Sequence, residues 1–129
     1  AALATIKKYC DNNVDKHLIE IGNGVKTIWK EEAIASGLKI STSGLPTLAS
    51  FSFDSSLNME MSTRFVIEML NHNILGFRQF KPSFAHSQQD LDQYRKAVSD
   101  IFSLLSELPE DSILETPVAH NGLFRLTKE

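Results

Sequence analysis

Val14, Leu18, Ile21, Val25 and Ile28 step along the chain by four, three, four and three residues. That spacing lays one continuous apolar stripe on an α-helix. It predicts a helix from Val14 to about Ser36, closed by Gly37 in the left-handed conformation that glycine adopts past a helix end. Upstream, Ala1 to Tyr9 has helix-forming composition and stops at Asp11-Asn12-Asn13, a breaker followed by a cap. The period then drops to two. Leu38-Lys39-Ile40-Ser41 and Ala49-Ser50-Phe51-Ser52-Phe53 alternate apolar and polar residues around Ser43-Gly44-Leu45-Pro46, predicting a hairpin or a closely spaced strand pair.

A polar loop, Asp54-Ser55-Ser56-Leu57-Asn58, offers a cap to a third helix from about Met59 to Asn71. There Met61, Phe65 and Met69 fall four apart, with Val66 and Leu70 on the next row. Ile74 to Phe80 reads as a third strand, which Pro82 prevents from being central over its full length. Ser83 to Asp92 reads as a strand end feeding straight into a helix. Ser87 is a good N-cap, and Asp90 lies three residues on, close to a capping-box arrangement and at the positive end of the helix dipole. That helix, to about Leu108, carries the cleanest stripe (Leu91, Tyr94, Val98, Ile101, Leu105, Leu108), and Pro109 stops it. A loop through Thr116 to Gly122 and a short closing segment, Leu123 to Leu126, complete the chain. The expected fold is a single α+β domain over residues 1–129: a small three- to four-stranded, largely antiparallel sheet with helices packed on one face.

Bulk properties narrow the function. With 129 residues, 42% of them hydrophobic, the chain is long enough for a real core. A net charge of −3 with both signs scattered leaves no basic footprint for nucleic acid and no polybasic membrane patch. No apolar run approaches the roughly 20 residues needed to cross a bilayer, and no signal-peptide pattern opens the chain. The single cysteine, Cys10, excludes an internal disulfide framework and fits a reducing cytoplasm. The chain opens already in helix-forming composition without a cap, so truncation at that end is expected.

Candidate chemistry is thin. Gly22-Asn23-Gly24-Val25-Lys26-Thr27 has the outline of a phosphate loop but lacks the strand and contiguous Gly-Lys-Ser/Thr that such a loop needs. The helical stripe runs through it, so both glycines are expected inside the helix, where they permit close packing against the sheet. His17, His72, His86 and His120 show no paired ligand spacing, and no metal site is expected. His86 directly precedes the Ser87 cap, so it is expected to pack or hydrogen-bond at the junction rather than to catalyse. Cys10 and His17 straddle a helix break with no orienting third group, and Cys10 reads as a small buried apolar residue. Ser41-Thr42-Ser43-Gly44 reads as a polar turn rather than an anion site, and Met59, Met61 and Met69 as core filling. A hydrolase on His86 or His120 would lack a nucleophile–base–orienter set. No catalytic, cofactor-binding or metal residue is assigned.

Four segments together resemble class III pyridoxal-phosphate (PLP) aminotransferases, nearest to glutamate-1-semialdehyde aminomutase-like members. Ala1-Ala2-Leu3-Ala4-Thr5-Ile6 resembles the family's "A-A-x-L-A-T-[IL]" helix, and Val14 to Gly22 its "V-x-x-H-[IL]-x-x-x-G" helix. Leu38 to Phe53 is similar to the family's strand pair, with Gly44, Pro46 and Phe53 in place. Ser83-Phe84-Ala85-His86-Ser87-Gln88-Gln89-Asp90-Leu91 is similar to "S-x-A-H-[ST]-x-x-D-[ILV]", which opens the family's last long helix. Gln79-Phe80-Lys81-Pro82 departs from the small, glycine-rich stretch that aminomutases carry there.

The resemblance implies the small C-terminal domain of a fold-type I enzyme, which shapes and closes the substrate cleft against the large cofactor domain of the same polypeptide, usually in a homodimer. Amino-group transfer through PLP is the implied parent reaction. Such chemistry needs a Schiff-base lysine. Lys7, Lys8, Lys16, Lys26, Lys30 and Lys96 fall in expected helices, Lys39 and Lys81 near strands, and Lys128 in the tail. None resembles the family's strand-borne lysine. The chain is therefore expected to be inactive alone, with no cofactor bound to it. A freestanding α+β interaction or dimerisation module without activity is the alternative.

Overall fold

The computed structural model describes residues 1–119. Its elements are α1 (Ala2–Asp11), α2 (Val14–Ser36), β1 (Ile40–Ser43), β2 (Ala49–Phe53), α3 (Asn58–Asn71), β3 (Gln79–Phe80) and α4 (Gln88–Glu107). Short 3-10 turns occupy Pro46–Leu48 and Glu110–Ser112. The sheet is antiparallel in the order β1-β2-β3, so the expected α+β architecture stands, with three strands among the described residues. His120 and the closing segment Leu123 to Leu126 lie outside them.

Alternation on β2 decides which face the helices cover. Ala49, Phe51 and Phe53 are buried while Ser50 and Ser52 are half-exposed. Opposite them, Ser41 pairs with Ser52 and Ser43 with Ser50, so the other face is a row of small hydroxyl side chains. Ser43 and Ser50 share a 2.8 Å hydrogen bond there, and the Ser41 hydroxyl donates to the Asp54 carboxylate. On the buried face, the Phe51 ring meets Trp29 of α2 at 4.8 Å, Phe65 of α3 at 5.2 Å and Phe102 of α4 at 5.8 Å. Between α2 and α4, the Trp29 indole N–H donates to the Tyr94 hydroxyl at 2.8 Å, inside the core. Burial pushes the Tyr94 phenol's pKa up, so it stays neutral. At the rim of that packing, Arg95 reaches the exposed Glu31 and the half-buried Glu32, a partly exposed network of modest value.

The helix ends explain where the strand expectations shift. Gly37 has φ 76°; its N–H bonds the Ile34 carbonyl and the Leu38 N–H bonds the Ala33 carbonyl, the two bonds of a Schellman closure. Leu38 is thus consumed in ending α2, and β1 begins at Ile40 rather than Leu38. The same pair of bonds recurs at the end of α3, where Asn73 takes the left-handed position (φ 59°). Its N–H bonds Leu70, and the Ile74 N–H bonds Met69. Asparagine tolerates this conformation better than most residues. With Ile74 occupied and a tight turn from Gly76 back to the Ile74 carbonyl, the expected seven-residue strand shrinks to Gln79–Phe80. The chain then leaves the sheet at Lys81 and reaches α4 only after a loop, so the strand does not feed straight into that helix.

Two expected side-chain caps are absent. Asn13 makes no capping bond and instead sits left-handed at φ 48° in the tight joint between α1 and α2. At α3, Leu57 occupies the N-cap position without a capping bond, while the neighbouring Asn58 side chain accepts the Phe53 N–H at 3.0 Å. Cys10 is exposed, not buried, because α1 contributes no buried residue. Met61 and Met69 are in the core, with Met59 half-buried.

Both interior glycines of α2 are close-packing sites, but their neighbours are a turn and a helix rather than the sheet. A Cβ on Gly22 would lie 1.9 Å from the Pro46 carbonyl oxygen, a backbone atom; one on Gly24 would meet the movable Leu91 Cδ1 at 3.0 Å. Helix propensity favours alanine over glycine by about 1 kcal/mol at both positions. At Gly22 the clash wins, because the Pro46–Leu48 turn must move. Gly22→Ala is expected to destabilise the chain by about 2 kcal/mol, whereas Gly24→Ala stays within about 1 kcal/mol of the parent. Urea unfolding of the two variants measures the contrast.

Candidate functional site

The junction before α4 gathers the most side-chain organisation. Ser87 accepts the Asp90 N–H at 3.4 Å, and Asp90 returns a shorter bond, accepting the Ser87 N–H at 2.7 Å. The Ser87 hydroxyl also donates to that carboxylate at 2.7 Å. The capping box expected from Ser87 and Asp90 is present, with the charge-assisted arm dominant. Bonds from the Ser87 hydroxyl and then its backbone N–H hold the Asp90 pKa below its ordinary value.

His86 is fixed from two sides. Its Nδ1 accepts the Ser83 N–H at 2.8 Å and lies 3.1 Å from the Ser83 hydroxyl. Its ring packs on Phe80 at 5.2 Å. A backbone N–H can only donate, so Nδ1 is the acceptor and the neutral ring carries its proton on Nε2. Through its carbonyl, His86 accepts from His17 Nε2 at 2.9 Å, and Phe84 stands edge-on to the His17 ring at 5.2 Å. The structural role expected for His86 is thus seen, and it reaches further than expected by tying α2 to the α4 junction. Cys10 takes no part: His17 turns to His86 and Phe84.

Other candidates separate. Ser41 and Ser43 belong to β1 and are occupied by Asp54 and Ser50; only Gly44 (φ 78°) is in the turn, where its carbonyl accepts from Lys26 Nζ at 3.0 Å. His72 bonds the Glu68 carbonyl and lies 3.4 Å from Asp100. Among the described residues no group of three or more His, Cys, Asp or Glu gathers to hold a metal, and no helix is long and apolar enough to cross a membrane.

A cavity of about 270 Å³ opens between residues 73–80 and the first turns of α4. Phe77, Phe80 and Leu91 wall it, Val25 and Tyr94 close its inner side, and His86 lines it. Sequence reasoning missed this site because its wall includes the irregular 74–78 stretch, which falls inside the strand expected over Ile74 to Phe80. The available signal was Ser83 placed three residues before His86, the spacing that lets a backbone N–H fix the ring.

A PLP Schiff base requires a lysine in a protected setting. Lys7, Lys8, Lys16, Lys30, Lys39, Lys81 and Lys96 are exposed. Lys26 is half-buried, with its amine on the Gly44 carbonyl. Lys128 lies outside the described residues. The described residues therefore do not fit a covalently held PLP.

Comparison with protein-family models finds no match, and none of the curated proteins matches. Among solved structures, the chain is similar to the FumI protein of Sphingopyxis sp. MTA144 in its PLP internal aldimine form. The TM-score is 0.66 at 16% identity, over 71% of this chain and 23% of that one. The fold is that of one part of a PLP protein. The chain thus spans less than a quarter of the length of that neighbour.

The cap gives a pH test. A carboxylate whose folded pKa is depressed stabilises the fold above its unfolded value and loses that contribution as pH falls through the folded one. The stability advantage of the parent over Asp90→Asn is expected to be full at about pH 7 and to fade below the ordinary value of 3.8. Ser87→Ala should cost about 1 kcal/mol at neutral pH. Urea midpoints across the acid range check both.

Proposed function

We propose that this chain is the small C-terminal domain of a class III aminotransferase or aminomutase, working in the cytoplasm as part of a homodimer. Packed against the large PLP-carrying domain of the same polypeptide, it shapes and closes the substrate cleft. The observation that carries this reading is the fold shared with PLP-bound FumI by a chain that covers 23% of it. The family motifs at Val14 to Gly22, Leu38 to Phe53 and Ser83 to Leu91 support the choice of class.

The chain's own residues supply position rather than chemistry. The Phe51 core holds α2, α3 and α4 on the covered side of the sheet. The Ser87–Asp90 cap and the His17–His86 bond fix the entry to α4. That no described lysine is placed for Schiff-base formation supports the reading in which cofactor and catalytic lysine belong to the large domain and the chain alone is inactive. The parent reaction is amino-group transfer between an amine and a carbonyl compound.

The test is to mix the purified chain with pyridoxal phosphate, reduce with borohydride and map any labelled residue. Sparse labelling spread over the exposed lysines, with no transaminase activity, is expected. Stoichiometric labelling of one lysine together with activity would overturn the reading. A gene whose native start codon lies immediately before the Ala1 codon would also overturn it and favour the freestanding module.

A further inference from the structure

We propose that the cavity between residues 73–80 and the first turns of α4 binds a compact, uncharged molecule bearing an oxygen acceptor on an apolar frame. A cyclic ketone or alcohol is the simplest member of that class. The lining residues named for this site all belong to the chain itself, so its test needs neither a large domain nor PLP.

The first argument is the fixed donor. His86 carries its proton on Nε2, because Nδ1 is taken by the Ser83 N–H. No described residue accepts from that Nε2–H, and the ring lines the cavity. Its orientation is set by a backbone bond on one edge and by the Phe80 ring tilted at 51° beside it, so little side-chain freedom is lost when an acceptor arrives. A preorganised donor beside an apolar wall is the usual make-up of a small-molecule site, and the volume of about 270 Å³ falls just below the roughly 300–1,000 Å³ of such sites, which fits only a compact ligand.

The second argument is charge. Among the described residues, Asp90 is the one carboxylate on the lining, and neither lysine nor arginine lines the cavity. An anion would meet Asp90 without a counter-charge. A cation would find that carboxylate already bonded by the Ser87 N–H and hydroxyl. Uncharged ligands escape both costs. The rim amides of Gln79 and Gln93 line the same opening and make no side-chain hydrogen bond within the described residues, so they can donate to or accept from a hydroxyl.

The test is an NMR titration of the isotope-labelled chain with cyclohexanone, cyclohexanol and cyclohexanecarboxylate. Saturable shifts are expected at the His86 ring nitrogens and at the Gly76 and Leu91 amides with the first two, and at least about tenfold weaker binding of the carboxylate above neutral pH. His86→Phe keeps an aromatic ring but removes the donor, and should raise Kd about fivefold or more. Because it also removes the acceptor for Ser83, a second variant is needed: Gln93→Trp, at an exposed position of α4, should block the opening and abolish the shifts. Absent or non-saturable shifts, equal affinity for the carboxylate, an unchanged Kd in folded His86→Phe, or unimpaired binding by Gln93→Trp would each overturn the proposal.

Discussion

The Phe51 ring lies against aromatic side chains from α2, α3 and α4 at once, and the central strand that carries it is hydrogen-bonded on both edges. A three-stranded sheet with one strand only two residues long has little stability of its own. Aromatic burial on one face supplies what the ladder does not, each large ring removing apolar surface from water and adding a directional edge contact. The Trp29–Tyr94 bond then sets the registry of α2 against α4 without leaving a buried N–H unpaired. The rest of the molecule follows from this arrangement. The serine face is left open because the aromatic residues alternate away from it, and α4 must begin where its stripe can reach Phe51.

Much of this was legible in the sequence, and the exceptions share a cause. Periodicity gave α2, α3 and α4 because each presents a long stripe to a single core. Ser87 and Asp90 announced the cap because the motif is local. Leu38 and Ile74 misled because both are apolar residues at strand-like positions whose N–H groups close the preceding helix. Alternation records which side chain is buried; it says nothing about where the backbone donor goes. Asn73 gave no warning of its left-handed role, since asparagine serves equally in turns and caps. Cys10 was read as buried from residue type alone, while the outcome depended on whether anything packs over α1. The cavity was harder still, because it depends on residues 74–78 not being a strand.

The junction before α4 joins fold and function. The sequence expects His86 to pack or bond there rather than to catalyse, and every bond around it holds something in place: the Ser83 turn, the His17 side chain, the ring on Phe80. A histidine held so firmly in one tautomer is poorly suited to shuttle protons and well suited to present a single hydrogen-bond donor. That distinction separates the positioning role proposed for the domain from chemistry that requires a lysine the described residues do not place.

Gly22 carries a consequence for how such a chain can diverge. Its contact with Pro46 is main chain against main chain, so no compensating change of a neighbouring side chain can make room for a Cβ. Side chains around Phe51 can exchange volume among themselves with the fold retained. The Gly22 position has no comparable freedom. It acts as a one-way stop: with α2 and the Pro46 turn this close, substitution elsewhere is open, while leaving glycine requires rebuilding the turn itself.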